Sequence, residues 1–234
     1  MIDRLSLYKN QIAALDPPLQ KFSFARFNRI YQRLFQGSPA WNRLHPYISQ
    51  PNWVSRADLA TMSVAAKNGT LGWDSLFIAT MIWGYGNSDK GGPTKLFLAL
   101  ETPDATNIIA DAAALVLQAS LPGALVCIRR LDETGISFGT KFLYAAGMAS
   151  SVRPKPLVLD RKVITALQHG LGEAIANEQF GLNAAYHSHE AGIERASNGY
   201  ASYCAALDDW ANRLGSGITA EKLELFFFEK ADSF

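Results

Sequence analysis

A mainly α-helical fold is predicted for this chain, on three observations. Apolar residues recur at three-and-four spacing along most of the sequence. Alternating apolar–polar stretches, the mark of half-buried strands, are nearly absent. Gly- and Pro-containing text at 36–54, 85–94 and 121–123 punctuates the periodic segments. The 234 residues suit one large domain, 1–234, or two lobes sharing a core.

The elements follow in order. Phe22 to Phe35 sets Phe24, Phe27, Ile30, Tyr31 and Leu34 at helical spacing, with Arg26, Arg29 and Arg33 between them, and predicts an amphipathic helix with a basic outer face. Residues 36–54, with Pro39, Pro46 and Pro51, predict an irregular connector. Ser55 is a cap-like residue at the head of a helix reaching Ala66. Trp73 to Gly84 is apolar on every face and twelve residues long, so it predicts a buried helix rather than a strand. A loop is predicted over Tyr85 to Thr94. An Ala-rich helix is predicted over Asp104 to Ser120, with Leu121-Pro122-Gly123 as its stop. Two short helices at 124–131 and 139–150, then helices at 161–170, 190–214 and 219–230, complete the set.

Lys and Arg total 22 and Asp and Glu 21, for a net charge of +1, which argues against gripping nucleic acid by bulk charge alone. The balance hides an uneven distribution. Residues 1–67 carry +6, 68–120 carry −3, 121–162 carry +4 and 171–234 carry −6. This asymmetry leaves room for an anionic partner on one side of the fold. The 48% hydrophobic content is that of a globular protein. No apolar run reaches the roughly 20 residues of a membrane span. The opening Met1-Ile2-Asp3-Arg4-Leu5 lacks an apolar signal core, so a cytoplasmic protein is expected. Cys127 and Cys204 are expected to be buried thiols.

The stretch from Cys127 to His169 carries the chemistry. A short helix, a turn bounded by Gly135 and Gly139 and a second helix from about Thr140 form a helix–hairpin–helix. Glycine lets the backbone approach a phosphate, and a helix N-terminus aims its amides at it. Gly135, Ser137, Gly139 and Thr140 are therefore candidate DNA contacts, joined by Arg153 and Lys155. Lys141, placed in the first turn of the second helix, would feel a field that favours its neutral, nucleophilic form. Nineteen residues on, after Leu157-Val158-Leu159, stands Asp160. Asp160 also suits a plain N-cap role for the helix that follows.

Gly139-Thr140-Lys141, an apolar helix, a Pro-containing loop, an apolar run and Asp160 together resemble the helix–hairpin–helix DNA glycosylases, above all their 8-oxoguanine branch. The likeness covers about residues 125–170 and extends to the C-terminal helix, and it implies a helix–hairpin–helix glycosylase-like fold of two helical lobes around a cleft. It implies that Lys141 and Asp160 are the catalytic pair of an N-glycosylase acting on DNA, in which neutral Lys141 attacks the sugar carbon and leaves a Schiff base. Asp160 would stabilise the oxocarbenium-like charge. An accompanying lyase step would nick the strand. The resemblance also implies a monovalent cation held by hairpin carbonyls and no other cofactor. The hairpin here, Leu131-Asp132-Glu133-Thr134-Gly135-Ile136-Ser137-Phe138-Gly139, is longer than the family's Leu-Pro-Gly-Val-Gly and carries two acids.

A flipped base needs an aromatic slot. Trp210, Trp83, Trp73, Tyr85 and Asn87 are the candidates, with Asp89 beside them. The modified base is expected to be 8-oxoguanine-like in repair, or a bulky modified cytosine in defence against phage DNA. The alternative class is a non-catalytic helix–hairpin–helix DNA-binding module, which would need neither Lys141 nor Asp160. No metal site is expected. His187 and His189 lack a third ligand, and Gly91-Gly92-Pro93-Thr94-Lys95 lacks the phosphate-loop frame. A monomer is expected.

Overall fold

A computed structural model describes residues 1–88, 91–182, 190–215 and 217–231. The chain is a helical fold with one small antiparallel sheet. In order it runs α1 (Ile2–Ser6), α2 (Lys9–Ala14), β1 (Lys21–Ser23), α3 (Asn28–Leu34), α4 (Pro39–Asn42), β2 (Trp53–Ser55), α5 (Arg56–Lys67), α6 (Trp73–Tyr85) and α7 (Gly92–Glu101). It continues through α8 (Ala105–Leu117), α9 (Leu121–Ile128), α10 (Ile136–Gly147), α11 (Arg161–Leu171), α12 (Glu173–Phe180), α13 (Glu190–Leu214) and α14 (Ala220–Lys230).

Helix α6 is the axis of the fold. Its residues 75–83 are all buried, as a helix apolar on every face requires, and α5, α7, α8 and α10 pack around it. Helix α5 begins with a capping box: Ser55 Oγ accepts from the Asp58 N–H, and Asp58 Oδ2 accepts from the Ser55 N–H. Helices α1 and α2 lie against α13 and α14, and Lys222 Nζ donates to the Ala13 carbonyl. The basic segments 1–67 and 121–162 adjoin where α5 meets α10; Ser63 Oγ donates to the Ala146 carbonyl and Lys67 Nζ to that of Ala149.

Several elements differ from the sequence expectation, helices α1, α2 and α12 among them. The helix expected from Phe22 starts only at Asn28, because Lys21, Phe22 and Ser23 pair with Ser55, Val54 and Trp53. The partner strand lies thirty residues away, so a periodicity window cannot see it. The 36–54 connector accordingly holds α4 and the start of β2. Leu121-Pro122-Gly123 opens α9 instead of closing α8. Helix α8 ends at Leu117, and Pro122 sits in the first turn of α9, where its missing N–H costs nothing. The loop predicted to reach Thr94 gives way to α7 at Gly92, after Gly91 turns at φ +73°. Finally, α10 begins at Ile136, not Thr140, so the turn proper is 129–135, with Glu133 at φ +57°.

Candidate active site

Helix α10 builds one wall of the site. Gly135 is its N-cap, exposed and without a side-chain cap, so the first amides of the helix are left to an outside acceptor. Ser137 is half-buried in the first turn. Gly139 lies inside the helix, where a Cβ would come 3.1 Å from both Ile128 and Leu125. Its role is close packing of α10 on α9 rather than approach to a phosphate. Lys141 is the sixth residue of α10 and lies beyond the first turn, where the field of a helix end has faded. The field argument made from the sequence is thereby corrected. What surrounds Lys141 is local: Nζ donates to Ser137 Oγ at 2.9 Å and to Asp160 Oδ2 at 3.3 Å, and lies 5.4 Å from the centre of the Phe138 ring.

The other wall is the extended run before α11. Tyr200 Oη donates to the Leu157 carbonyl and accepts from the Leu157 N–H, and Tyr203 Oη donates to the Val158 carbonyl. Thr140 Oγ1 accepts from the Leu159 N–H. Thr140 thus braces the two walls against each other from inside the protein, away from any phosphate, with 0% exposure. Held in this way, Asp160 has two jobs at once. Oδ1 accepts from the Lys162 and Val163 N–H groups as the N-cap of α11, and Oδ2 faces Lys141. Lys141 is 7% exposed and Asp160 9%, so the pair is nearly closed off from water while remaining reachable.

The C-terminal end of α6 closes the site from a third side. A Cβ on Gly84 would lie 2.8 Å from Lys141 Cδ and 3.1 Å from Phe138 Cε1, so the lysine stem passes directly over this glycine. Tyr85 follows and stacks on Phe138 with ring centres 4.0 Å apart. It is buried, and burial holds its phenol above the ordinary range. Asn87 is exposed, and its Oδ1 accepts from the Arg26 N–H, tying the loop to the segment after β1.

The tryptophans divide differently from expectation. Trp73 starts α6, eleven residues before Gly84, and a helix rises 1.5 Å per residue. It therefore lies about 16 Å along the axis from Lys141 and belongs to the far end of the helix. Trp210 is a core residue, edge-on to Phe180 and Phe227. Trp83 is 2% exposed, under Phe22 and beside Tyr144. The exposed aromatic edges lie elsewhere. Phe22 of β1 and Phe228 of α14 are both half-buried, 6.4 Å apart between ring centres. Lys162 Nζ sits 4.6 Å over the Phe228 ring, two residues after Asp160. Phe22 also touches Gly86, where a Cβ would come 3.2 Å from its own Cβ. The sequence reading missed Gly84, Phe22 and Phe228. An aromatic on the last helix was a readable signal for Phe228; nothing local marked the other two.

Beneath the pair lies a second ionic group. Arg56 Nη2 donates to Glu224 Oε2 at 2.7 Å, both side chains 1% exposed, and Arg56 Nη1 donates to Tyr144 Oη. Arg153 and Lys155 are engaged by the C-terminal helices, Arg153 by Asp208 at 2.9 Å and Lys155 by Glu221 at 3.8 Å. No group of three or more His, Cys, Asp or Glu residues able to hold a metal occurs among the described residues. His187, His189 and Asp89 lie outside them. Among the described residues no helix is long and apolar enough to cross a membrane.

A buried Lys–Asp pair behind a helical hairpin is the arrangement that the sequence resemblance implied. A model of the putative 8-oxoguanine DNA glycosylase OGG-like family matches residues 23–228. The chain belongs to that family. The match takes in the last residue of β1, α3 and the 36–54 connector, most of the N-terminal third in which the sequence motifs alone showed no likeness. No curated protein and no solved structure matches the chain. Membership makes the chain a DNA glycosylase at the level of the family, and DNA its expected partner.

Proposed function

We propose that the chain excises a modified base from DNA, with Lys141 as nucleophile and Asp160 as the group that orients it and steadies the developing sugar cation. The observation that carries this reading is the 3.3 Å contact between Lys141 Nζ and Asp160 Oδ2 in a nearly closed, Gly84-floored site. The target base leaves the stack and its sugar carbon meets Lys141. As the glycosidic bond breaks, positive charge grows on the sugar, and the fixed carboxylate faces it at no cost in reorganisation. Attack by the amine gives an iminium, so a lyase step is open to the same residue. The exposed N-terminus of α10 at Gly135 and Ser137 is the phosphate seat. Arg153 and Lys155 exchange their ion pairs, the first exposed and the second half-buried, for phosphates. A monovalent cation at the turn would draw on carbonyls there. Those of Cys127, Ile128 and Leu131 already accept backbone N–H groups, and no step is assigned to it.

The base slot in this reading is the Phe22–Phe228 edge pair, with Lys162 and the Gly84–Asn87 loop around it. Trp210 and Trp73 are given up as slot residues. Trp83 and Tyr85 support the slot from beneath. Base release is to be measured from 8-oxoguanine duplex and, as the antiviral arm, from phage DNA carrying bulky modified cytosines. Lys141→Gln and Asp160→Asn should each lower release by about 10²–10⁴-fold with the fold intact by circular dichroism. Borohydride should trap a covalent adduct with the parent and none with Lys141→Gln. Release at the parent rate by both variants would mean that the chemistry lies at other residues; no release by the parent from either DNA, with binding retained, would leave a DNA-binding module.

A further inference from the structure

Among the described residues, the Arg56–Glu224 pair is a buried ion pair that the steps above leave without a task. Burying two charges is expensive, and an apolar pair of similar volume often serves stability as well or better. Its position points to a use. Glu224 and Phe228 lie four residues apart on α14, so one helix face carries both the buried acid and the slot aromatic. Lys141 and Tyr144 share a face of α10, and Tyr144 Oη is held by Arg56 and in turn donates to Glu221 Oε1. Helix α11, capped by Asp160, packs on α14. Two acid–base pairs, Lys141–Asp160 and Arg56–Glu224, thus sit within one buried electrostatic cluster.

The two carboxylates differ in what they have left to accept. Both oxygens of Asp160 are committed, Oδ1 to the α11 amides and Oδ2 to Lys141. Glu224 Oε1 is buried with no hydrogen-bond partner. An unpartnered buried oxygen makes the charged form of a carboxyl costly and leaves a place for a proton. Burial accordingly pushes the Glu224 carboxyl up to about 7, against the opposing pull of Arg56, with Asp160 adding to the rise and Lys141 subtracting from it. The groups that face it from each neighbouring element are Arg56 of α5, Lys141 and Tyr144 of α10, Asp160 before α11 and Tyr203 of α13, with Glu221 on its own helix.

Resting on the glycosylase reading, we infer that Glu224 is a positioning residue that balances the charge of the catalytic pair, binding a proton at its free oxygen as Lys141 releases one. The bookkeeping closes: the Lys141 ammonium loses a proton to solvent, the Glu224 carboxylate gains one from it, and the four groups stay neutral in sum. No shared hydrogen bond is required, only the field that each exerts on the other. Neutral Lys141 is then reached without leaving a net negative charge inside the protein.

The test is the pH profile of borohydride adduct formation, from about pH 5.5 to 9, for the parent, Glu224→Gln and the double variant Arg56→Met with Glu224→Leu. The double variant guards against misfolding caused by an orphaned arginine. In the parent, the rate should fall by clearly less than the tenfold per pH unit of a single ionisation, because Glu224 gains its proton over the same range. Both variants should restore a full tenfold fall. In Glu224→Gln the fall should also start at a lower pH than in the parent, since a negative charge has gone and Arg56 stays. Profiles that keep the parent's slope and midpoint and differ only in height would overturn the inference and leave Glu224 a structural residue. No adduct from the parent at any pH is a separate result. It would sink the reading of Lys141 as nucleophile, and the inference with it.

Discussion

Asp160 shows how two readings of one residue can both hold. Its carboxylate is an N-cap and a partner of Lys141 at the same time, one oxygen for each. Substitutions can therefore separate the roles. Asparagine keeps a side-chain oxygen for the Lys162 and Val163 amides, so Asp160→Asn should melt within a degree or two of the parent while losing activity. Asp160→Ala removes the cap as well and should cost about 1 kcal/mol more, read as a lower midpoint in urea. Equal stability for both would mean that the cap contributes nothing. The spacing of Lys141 and Asp160 was legible in the sequence because Lys141 lies on one regular helix and Asp160 caps the next. Gly84 was not, because its meaning lies in a lysine stem 57 residues away passing over a missing Cβ.

At the scale of elements, what the sequence showed depended on how local the signal was. Helix α6 reads directly from a strongly apolar run of twelve residues, and α5 from its capping Ser55. Strand β1 was hidden inside helix-like text because its reason for being is β2. The start of α10 was misplaced by four residues because Gly139 looked like a turn glycine. In fact it is a packing glycine, with Ile128 and Leu125 against it. Glycines inside helices invite a test. Gly84→Ala should gain up to about 1 kcal/mol of helix propensity, and its methyl would fall 2.8 Å from Lys141 Cδ. The flexible lysine stem would yield before the backbone. Adduct formation should drop at least about tenfold, as misplacing a reacting group by an ångström does, with the melting temperature unchanged or raised. An unaffected rate would show that the lysine has room to spare.

The charge asymmetry that opened the way to a nucleic-acid partner takes a different form at the scale of the whole molecule. Part of the acidic C-terminal quarter meets the basic segments directly: Glu224 with Arg56, Asp208 with Arg153 and Glu221 with Lys155. Only the first of these is sealed from water. The other two are reachable by solvent, so under the proposed function the protein's own acids would hold part of the DNA-facing charge in reserve. Arg26, Arg29, Arg33, Arg130 and Arg161 are exposed alongside. Binding to duplex DNA should therefore weaken steeply with salt, the logarithm of affinity falling linearly with the logarithm of salt concentration. If Arg153 and Lys155 trade carboxylates for phosphates, Arg153→Gln and Lys155→Gln should each flatten that slope by about one. Asp208→Asn, which releases Arg153 in advance, should tighten binding without changing the slope, since the number of phosphates met is the same. A slope indifferent to both basic substitutions would confine the DNA face to the α10 N-terminus and the exposed arginines, and would leave the Arg153–Asp208 and Lys155–Glu221 contacts as internal ties alone.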